Sequence, residues 1–264
     1  MAPDESRNHP PTLTEDLMDV ARCELGETPE VKEAALSKLR ELIAGEPQLD
    51  CPLEEDFLIK FLRGRKYDVD CAFKNVKKYF KARMEHPQMF QGLTPQSIPF
   101  DATCRKHRLL TVSRKPDSEG RIVAMLNIGA WNADICPLND FFRAGCVHLE
   151  YLLLQQEAQI RGFVFILNVQ GLGVYHMAHY TPSVIKRLLS IIQDYLPLRI
   201  KAIYIINNPA LFDVLFAIAK PFMKAKLLKR IRLFGYDLRE LRELVPEDMI
   251  SEEHGGTHES YDYD

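Results

Sequence analysis

The sequence predicts an α/β protein: a helical bundle over residues 13–98, then an α/β domain with a mostly parallel sheet over residues 99–256. Three observations carry this reading. Up to about residue 98 the apolar residues recur at helical spacing and no strand signal appears. Beyond it, short apolar runs alternate with helical segments in the order β-β-α-β-α-β, and parallel neighbours need crossover connections of about a dozen residues or more. The chain has 264 residues, a net charge of −3 and 46% hydrophobic residues, which suits a globular protein of one large domain or two smaller ones.

Residues 1–12 are polar and proline-rich and are expected to form a disordered tail. Thr12 to Glu15 reads as a capping box for a short helix ending near Leu25. Thr28-Pro29 starts the next helix, with a hydroxyl cap and proline at the first helical position. Its apolar face is Val31, Ala35, Leu39, Leu42 and Ile43, and Gly45-Glu46-Pro47 stops it. A helix from Leu53 carries acids first and arginines last, as its dipole favours. Asp68 caps a fourth helix that runs to about Glu85, with Lys74, Lys77, Lys78 and Lys81 on its outer face. Strands are expected at Leu109–Ser113, Arg121–Ile128, Phe163–Val169, Arg199–Ile206 and Arg230–Phe234. Pro137 opens one long helix to about Gln159, Thr181-Pro182 opens another, and Leu238–Leu244 is a short one. Residues 257–264 read as an acidic tail.

Several function classes are excluded or weakened. A charge of −3 argues against general nucleic-acid binding. The first twelve residues have no apolar core of a signal peptide, and no uncharged apolar run approaches the ~18 residues of a membrane span. A cytoplasmic protein is expected, with any membrane contact peripheral. The six cysteines are scattered without a Cys-x-x-Cys pair, so reduced thiols are expected. His176 and His179 stand three apart without a third ligand, so no metal is expected. There is no nucleophile elbow, P-loop or dinucleotide fingerprint, and Asn168 stands where α/β enzymes often keep an acid. No catalytic residue is assigned.

One stretch is unusual. Residues 210–219 are apolar except for Asp213, and Lys224, Lys226, Lys229, Arg230 and Arg232 follow at once. A helix apolar all round is buried or faces something other than water, and adjoining cations suit an anionic surface. Taken alone, the stretch reads better as a core helix followed by a solvated basic face.

The segment Phe57-Leu-Ile-Lys-Phe-Leu-Arg-Gly-Arg-Lys-Tyr-Asp68 resembles the helix-end signature of the CRAL-TRIO lipid-binding family. Asn168-Val-Gln-Gly171, Tyr180-Thr-Pro-Ser183, Gln193-Asp-Tyr-Leu-Pro197, Ile205-Ile-Asn-Asn-Pro209, Lys220-Pro-Phe222 and Gly255-Gly256 agree with it in order and spacing. The resemblance implies a carrier, not an enzyme, with no cofactor. It implies a cavity for one hydrophobic, tocopherol-like lipid closed by a mobile helical lid. Cavity walls are then expected from Phe142, Phe163, Phe165, Leu167, Leu188, Ile191, Ile192, Leu196, Leu198, Ile203 and Ile205, although ordinary core packing accounts for any one of them. The lid falls on Leu211, Phe212, Val214, Leu215, Phe216 and Ile218. The resemblance further implies that Arg65, Lys74, Arg199, Lys201, Lys226 and Arg230 bind a phosphatidylinositol bisphosphate headgroup at an endosomal or plasma membrane, and that the protein acts as a monomer. The alternative within the family is a lipid-sensing module that binds a retinoid or phospholipid and a protein partner.

Overall fold

The computed structural model describes residues 13–246 and residue 250. The tails at 1–12 and 257–264 and the Gly255-Gly256 pair lie outside the described residues. Helix α1 (Glu15–Leu25) starts at Thr14, whose hydroxyl accepts from the Leu17 amide, so the cap is two residues later than the Thr12 reading. Helix α2 (Pro29–Ala44) is capped by Thr28 as its Thr-Pro start requires. Helices α3 (Glu55–Gly64), α4 (Val69–Glu85) and the single turn α5 (Pro87–Phe90) follow. Asp68 caps α4 by accepting from the Cys71 amide at 2.9 Å. Leu39 of α2, Leu58, Phe61 and Leu62 of α3, and Ala72 and Val76 of α4 are all fully buried against one another.

The sheet contains β1 (Leu110–Val112), β2 (Ile122–Asn127), β3 (Phe163–Asn168), β4 (Ile200–Ile206) and β5 (Ile231–Gly235), in that spatial order. Only the β1–β2 pair is antiparallel. Between β2 and β3 run α6 (Leu138–Leu152) and α7 (Gln156–Arg161); between β3 and β4 run α8 (Val174–His179) and α9 (Pro182–Ser190). After β4 come α10 (Ala210–Ala219) and α11 (Ala225–Leu228), and α12 (Arg239–Leu244) follows β5. Each parallel strand lies next to its predecessor, so right-handed crossovers all fall on one face of the sheet.

Side-chain alternation matches that one-sidedness. Ala124, Phe163, Phe165, Ile203 and Ile205 face the crossover helices. Val123, Met125, Val164, Ile166, Ala202, Tyr204 and Ile206 face the other way, where Leu241, Val245 and Ile250 cover them. At the C-terminal ends of β2 and β3, and just past β4, Asn127, Asn168 and Asn207 form a buried amide ladder. Asn168 donates to Asn127 Oδ1 at 3.0 Å and accepts from Asn207 Nδ2 at 3.0 Å. The strand ends that hold acids in many α/β enzymes are here tied by amides.

Besides the single turns α5 and α11, two elements differ from the periodicity. The long helix expected from Pro137 to Gln159 is broken after Leu152, because the Gln159 side chain donates to the Leu153 carbonyl at 2.8 Å and satisfies a helix end that would otherwise be orphaned. Helix α8 was not foreseen; it is short, and Gly171 and Gly173 mask its start.

A buried ion pair helps pin the helical region to the sheet domain. Arg63 of α3 makes two hydrogen bonds to Glu27, at 2.7 and 2.9 Å, and a third to Gln159 of α7 at 2.8 Å. Both ionic side chains are nearly dry, 4% and 8% exposed. Removing one partner leaves a buried uncompensated charge, so Glu27→Ala is expected to lower stability by about 3–5 kcal/mol in urea unfolding.

Candidate functional site

A cavity of about 260 Å³ lies between the crossover face of the sheet and the helices. Its floor is the C-terminal half of the strands: Leu126, Leu167, Ile203 and Ile205. Helix α6 contributes Phe141, Phe142, Gly145, Cys146 and Leu149; α9 and the π-helical turn after it contribute Ile185, Leu188, Leu189, Ile191 and Ile192. Of the expected wall residues, Phe142, Leu167, Leu188, Ile191, Ile192, Ile203 and Ile205 meet there. Phe163, Phe165, Leu196 and Leu198 do not. Phe163 and Phe165 face the same side but lie at the start of β3, where they stack on each other at 5.9 Å. Leu196 is fully buried before β4, and Leu198 lines a different basin.

Helix α10 forms one wall. Phe212, Leu215, Phe216 and Ala219 line the cavity, an i, i+3, i+4, i+7 set on one helical face. Leu211, Val214 and Ile218 do not line it: Val214 is 50% exposed, Leu211 is half-buried, and Ile218 packs against the core cluster. The lid residues thus divide between an inner face and an apolar outer one. The segment after α10 is held by Gln193, whose amide donates to the Phe222 carbonyl and accepts from the Lys224 amide at 2.8 Å.

Beside this cavity is a basin of about 510 Å³. All six expected cations line it: Arg65, Lys74, Arg199, Lys201, Lys226 and Arg230. Lys66, Lys78 and Lys224 join them, against the carboxylates of Glu24, Asp68 and Asp194. The basin is composite. Gly64 allows α3 to reach the β4 lead-in, since a Cβ there would stand 2.9 Å from the Pro197 carbonyl oxygen. That contact sets Arg65 beside Arg199. Asn75 donates to the carbonyls of Asp194 (2.7 Å) and Tyr195 (3.1 Å), which brings Lys74 and Lys78 of α4 to the same rim.

The basin is short of negative charge. Burial holds Lys226 below the usual amine range, and repulsion from Arg230, Arg65, Lys66 and Arg199 adds to it. Burial likewise lowers Arg65, Arg199 and Arg230. Arg199 is nine-tenths buried, and its Nε has no hydrogen-bond partner. Glu24 of α1 partly compensates, bonding Arg199 at 2.6 Å and Lys201 at 2.5 Å. Asp194 does the same for Lys78 and Lys224, both at 2.7 Å. Ile192 and Leu227 line both the apolar cavity and the basin, so the two share a wall.

The family model for the CRAL/TRIO domain matches residues 106–256. The chain belongs to the CRAL-TRIO family. It is 34% identical to the human alpha-tocopherol transfer protein-like protein over 256 residues, covering 97% of this chain and 74% of that one. The mouse counterpart is 35% identical over 247 residues, with 93% and 71% covered. Rat clavesin-1 is 30% identical over 255 residues, with 95% and 71% covered. This is a family of proteins that bind and transfer hydrophobic lipids. The described residues include no helix long and apolar enough to cross a membrane and no group of three or more metal-ligating side chains. His176 is instead structural: its Nδ1 accepts from the Gly173 amide and its Nε2 donates to the Trp131 carbonyl.

Sequence reasoning missed Glu24, which lies far from any motif, and Gly145, Gln193 and Leu227. Gln193 sits inside a quoted motif; Gly145 carries no signal of its own. A Cβ at Gly145 would meet nothing within 4 Å, because the residue borders the cavity. Gly145→Leu is therefore expected to stabilise α6 by about 0.5–1 kcal/mol while lowering bound lipid. Urea midpoints and native mass spectrometry of the loaded protein check the two halves.

Proposed function

We propose that this protein carries one hydrophobic, tocopherol-like lipid and exchanges it at membranes displaying phosphoinositides, with α10 as the mobile lid. The observation that carries this reading is the shared wall of Ile192 and Leu227 between the apolar cavity and the cation basin. An anion seated in the basin presses on the same side chains that bound the lipid. The relatives named for tocopherol transfer support the ligand class.

The cavity volume supports a moving lid. About 260 Å³ falls below the roughly 300–1,000 Å³ typical of ligand pockets. An isoprenoid lipid needs more, and α10, an apolar wall whose outer side faces solvent, is the one taken to yield. Burying about 400 Å² of lipid gains on the order of 10 kcal/mol before binding costs, so escape into water is slow. At an anionic bilayer each cation contributes about 1 kcal/mol, and the outer apolar residues of α10 meet hydrocarbon instead of water. The lipid enters and leaves chemically unchanged. The protein works as a monomer, cytoplasmic and peripheral to the membrane.

The decisive variant reverses exposed cations and spares buried Arg199. Lys74→Glu with Lys226→Glu removes about 2 kcal/mol of attraction at ~1 kcal/mol per cation and adds repulsion on the same scale, so vesicle binding falls by at least about thirtyfold. Phosphoinositide-stimulated lipid transfer between vesicles is expected to disappear with lipid loading intact; stimulated transfer at the wild-type rate would sink the proposal.

Glu24 competes with an incoming phosphate for Arg199 and Lys201. Burial opposes its charge, but the Lys201 bond and both cations hold its carboxyl below the usual range. Its stabilising effect is thus present above the unfolded carboxylate pKa and lost as pH falls through the lower folded one. Glu24→Gln is expected to tighten binding of the soluble inositol phosphate headgroup about two- to fivefold, the scale of a partly exposed ion pair, read by isothermal titration calorimetry.

A further inference from the structure

The trailing end of the lid is held by two consecutive side chains. The Gln193 amide donates to the Phe222 carbonyl at 3.1 Å and accepts from the Lys224 amide at 2.8 Å. Asp194 accepts from the Lys224 ammonium at 2.7 Å. Lys224 is thus gripped at its backbone by one residue and at its side chain by the next. Between Phe222 and Lys224 stands Met223, which lines the apolar cavity. The gripping residues are anchored away from the lid: Asn75 of α4 donates to the carbonyls of Asp194 and Tyr195 and ties that turn to the helical region. The Asp194 oxygen that holds Lys224 also accepts from Lys78 of α4, again at 2.7 Å. Burial opposes the Asp194 charge, but the bonds from Lys224 and Lys78 hold its carboxyl below the usual range. Its side chain is 20% exposed, whereas both lysine side chains are more than half exposed. An anion entering the basin therefore meets Lys78 and Lys224 from the solvent side. Ion pairs this exposed are weak, and a phosphate brings more charge and more acceptor oxygens than one carboxylate.

We infer that Asp194, together with Gln193, is the clamp on the lid's trailing end, and that a phosphate in the basin releases it by drawing Lys78 and Lys224 off their shared carboxylate oxygen. This deepens the proposed function and rests on its headgroup site. Asp194 is a positioning residue, acting through Lys224, and both lysines lie outside the six cations that the family resemblance implies. When Lys224 turns to the phosphate, its backbone amide leaves Gln193, and Met223 is freed from the cavity wall. The route from anion to lipid runs along the backbone from Lys224 to Met223. The phosphate gains both ammonium groups only with the clamp released, and that differential binding shifts the lid toward its open state.

The test follows the Lys224 amide by hydrogen–deuterium exchange in solution NMR, with the soluble inositol bisphosphate headgroup as probe and calorimetry to establish that it binds. In the wild-type protein the saturating headgroup is expected to speed exchange at Lys224 about fivefold, the scale of a released exposed ion pair, and to leave the amides of β3 unchanged. A bound anion repels hydroxide and by itself slows exchange, so a faster rate reports the opened clamp. Asp194→Asn is expected to exchange fast without the headgroup and to respond to it by less than about twofold. A headgroup that binds without changing Lys224 exchange in the wild type overturns the clamp and leaves the headgroup site standing, as does an Asp194→Asn variant that responds like the wild type. Faster exchange across β3 in Asp194→Asn overturns it too, since the carboxylate would then be serving the fold. If the headgroup does not bind the wild-type protein, the phosphoinositide reading falls together with the clamp.

Discussion

The strand order constrains everything else. Because β2 to β5 run side by side in sequence order, every right-handed crossover lands on the same face of the sheet. That face receives more helices than can pack flat against it, and a gap remains over the C-terminal half of the strands. The opposite face receives none and must be covered by the chain's last elements, Leu241, Val245 and Ile250. An unreversed order also lacks the switch point at which open α/β sheets commonly bind ligands at their strand ends. The Asn127, Asn168 and Asn207 ladder fills that edge instead. The ligand space is thus displaced from the edge of the sheet to its face, where it can only be apolar.

The basic basin follows from a second constraint, the docking of the helical region onto the sheet domain. The cations do not belong to one element. Arg65 ends α3, Lys74 and Lys78 ride on α4, Arg199 and Lys201 come from the start of β4, and Lys226 from α11. Like charges gathered in this way repel, and burial together with that repulsion lowers Lys226 and Arg199. The Arg63–Glu27–Gln159 network and the Gly64–Pro197 contact supply the opposing attraction. Glu24 and Asp194 hold part of the charge in check.

Much of the fold was legible in the sequence because it rests on local chemistry. Thr28-Pro29 and Asp68 are caps read directly from residue type, and the apolar runs of β3 and β4 have no other use than a sheet buried on both faces. The cavity was partly legible: alternation divides β3 into two faces without saying which one is lined by the cavity, and nothing local distinguishes Phe165 from Leu167, since depth along the strand is set by where α6 and α9 cross it. Glu24 was invisible, because its role depends on the docking of α1 more than a hundred and seventy positions from its partners.

The small volume between α6, α9 and α10 has a consequence for traffic. A container that must swell to hold its cargo cannot hide whether it is full. Under the proposed lid motion, swelling would displace α10, whose outer side carries Val214 and whose trailing segment carries Lys224 and Lys226. The laden and empty forms would then present different surfaces to a bilayer and differ in how long they stay there. Such a difference would give a passive carrier a direction, with no energy source beyond the lipid gradient itself.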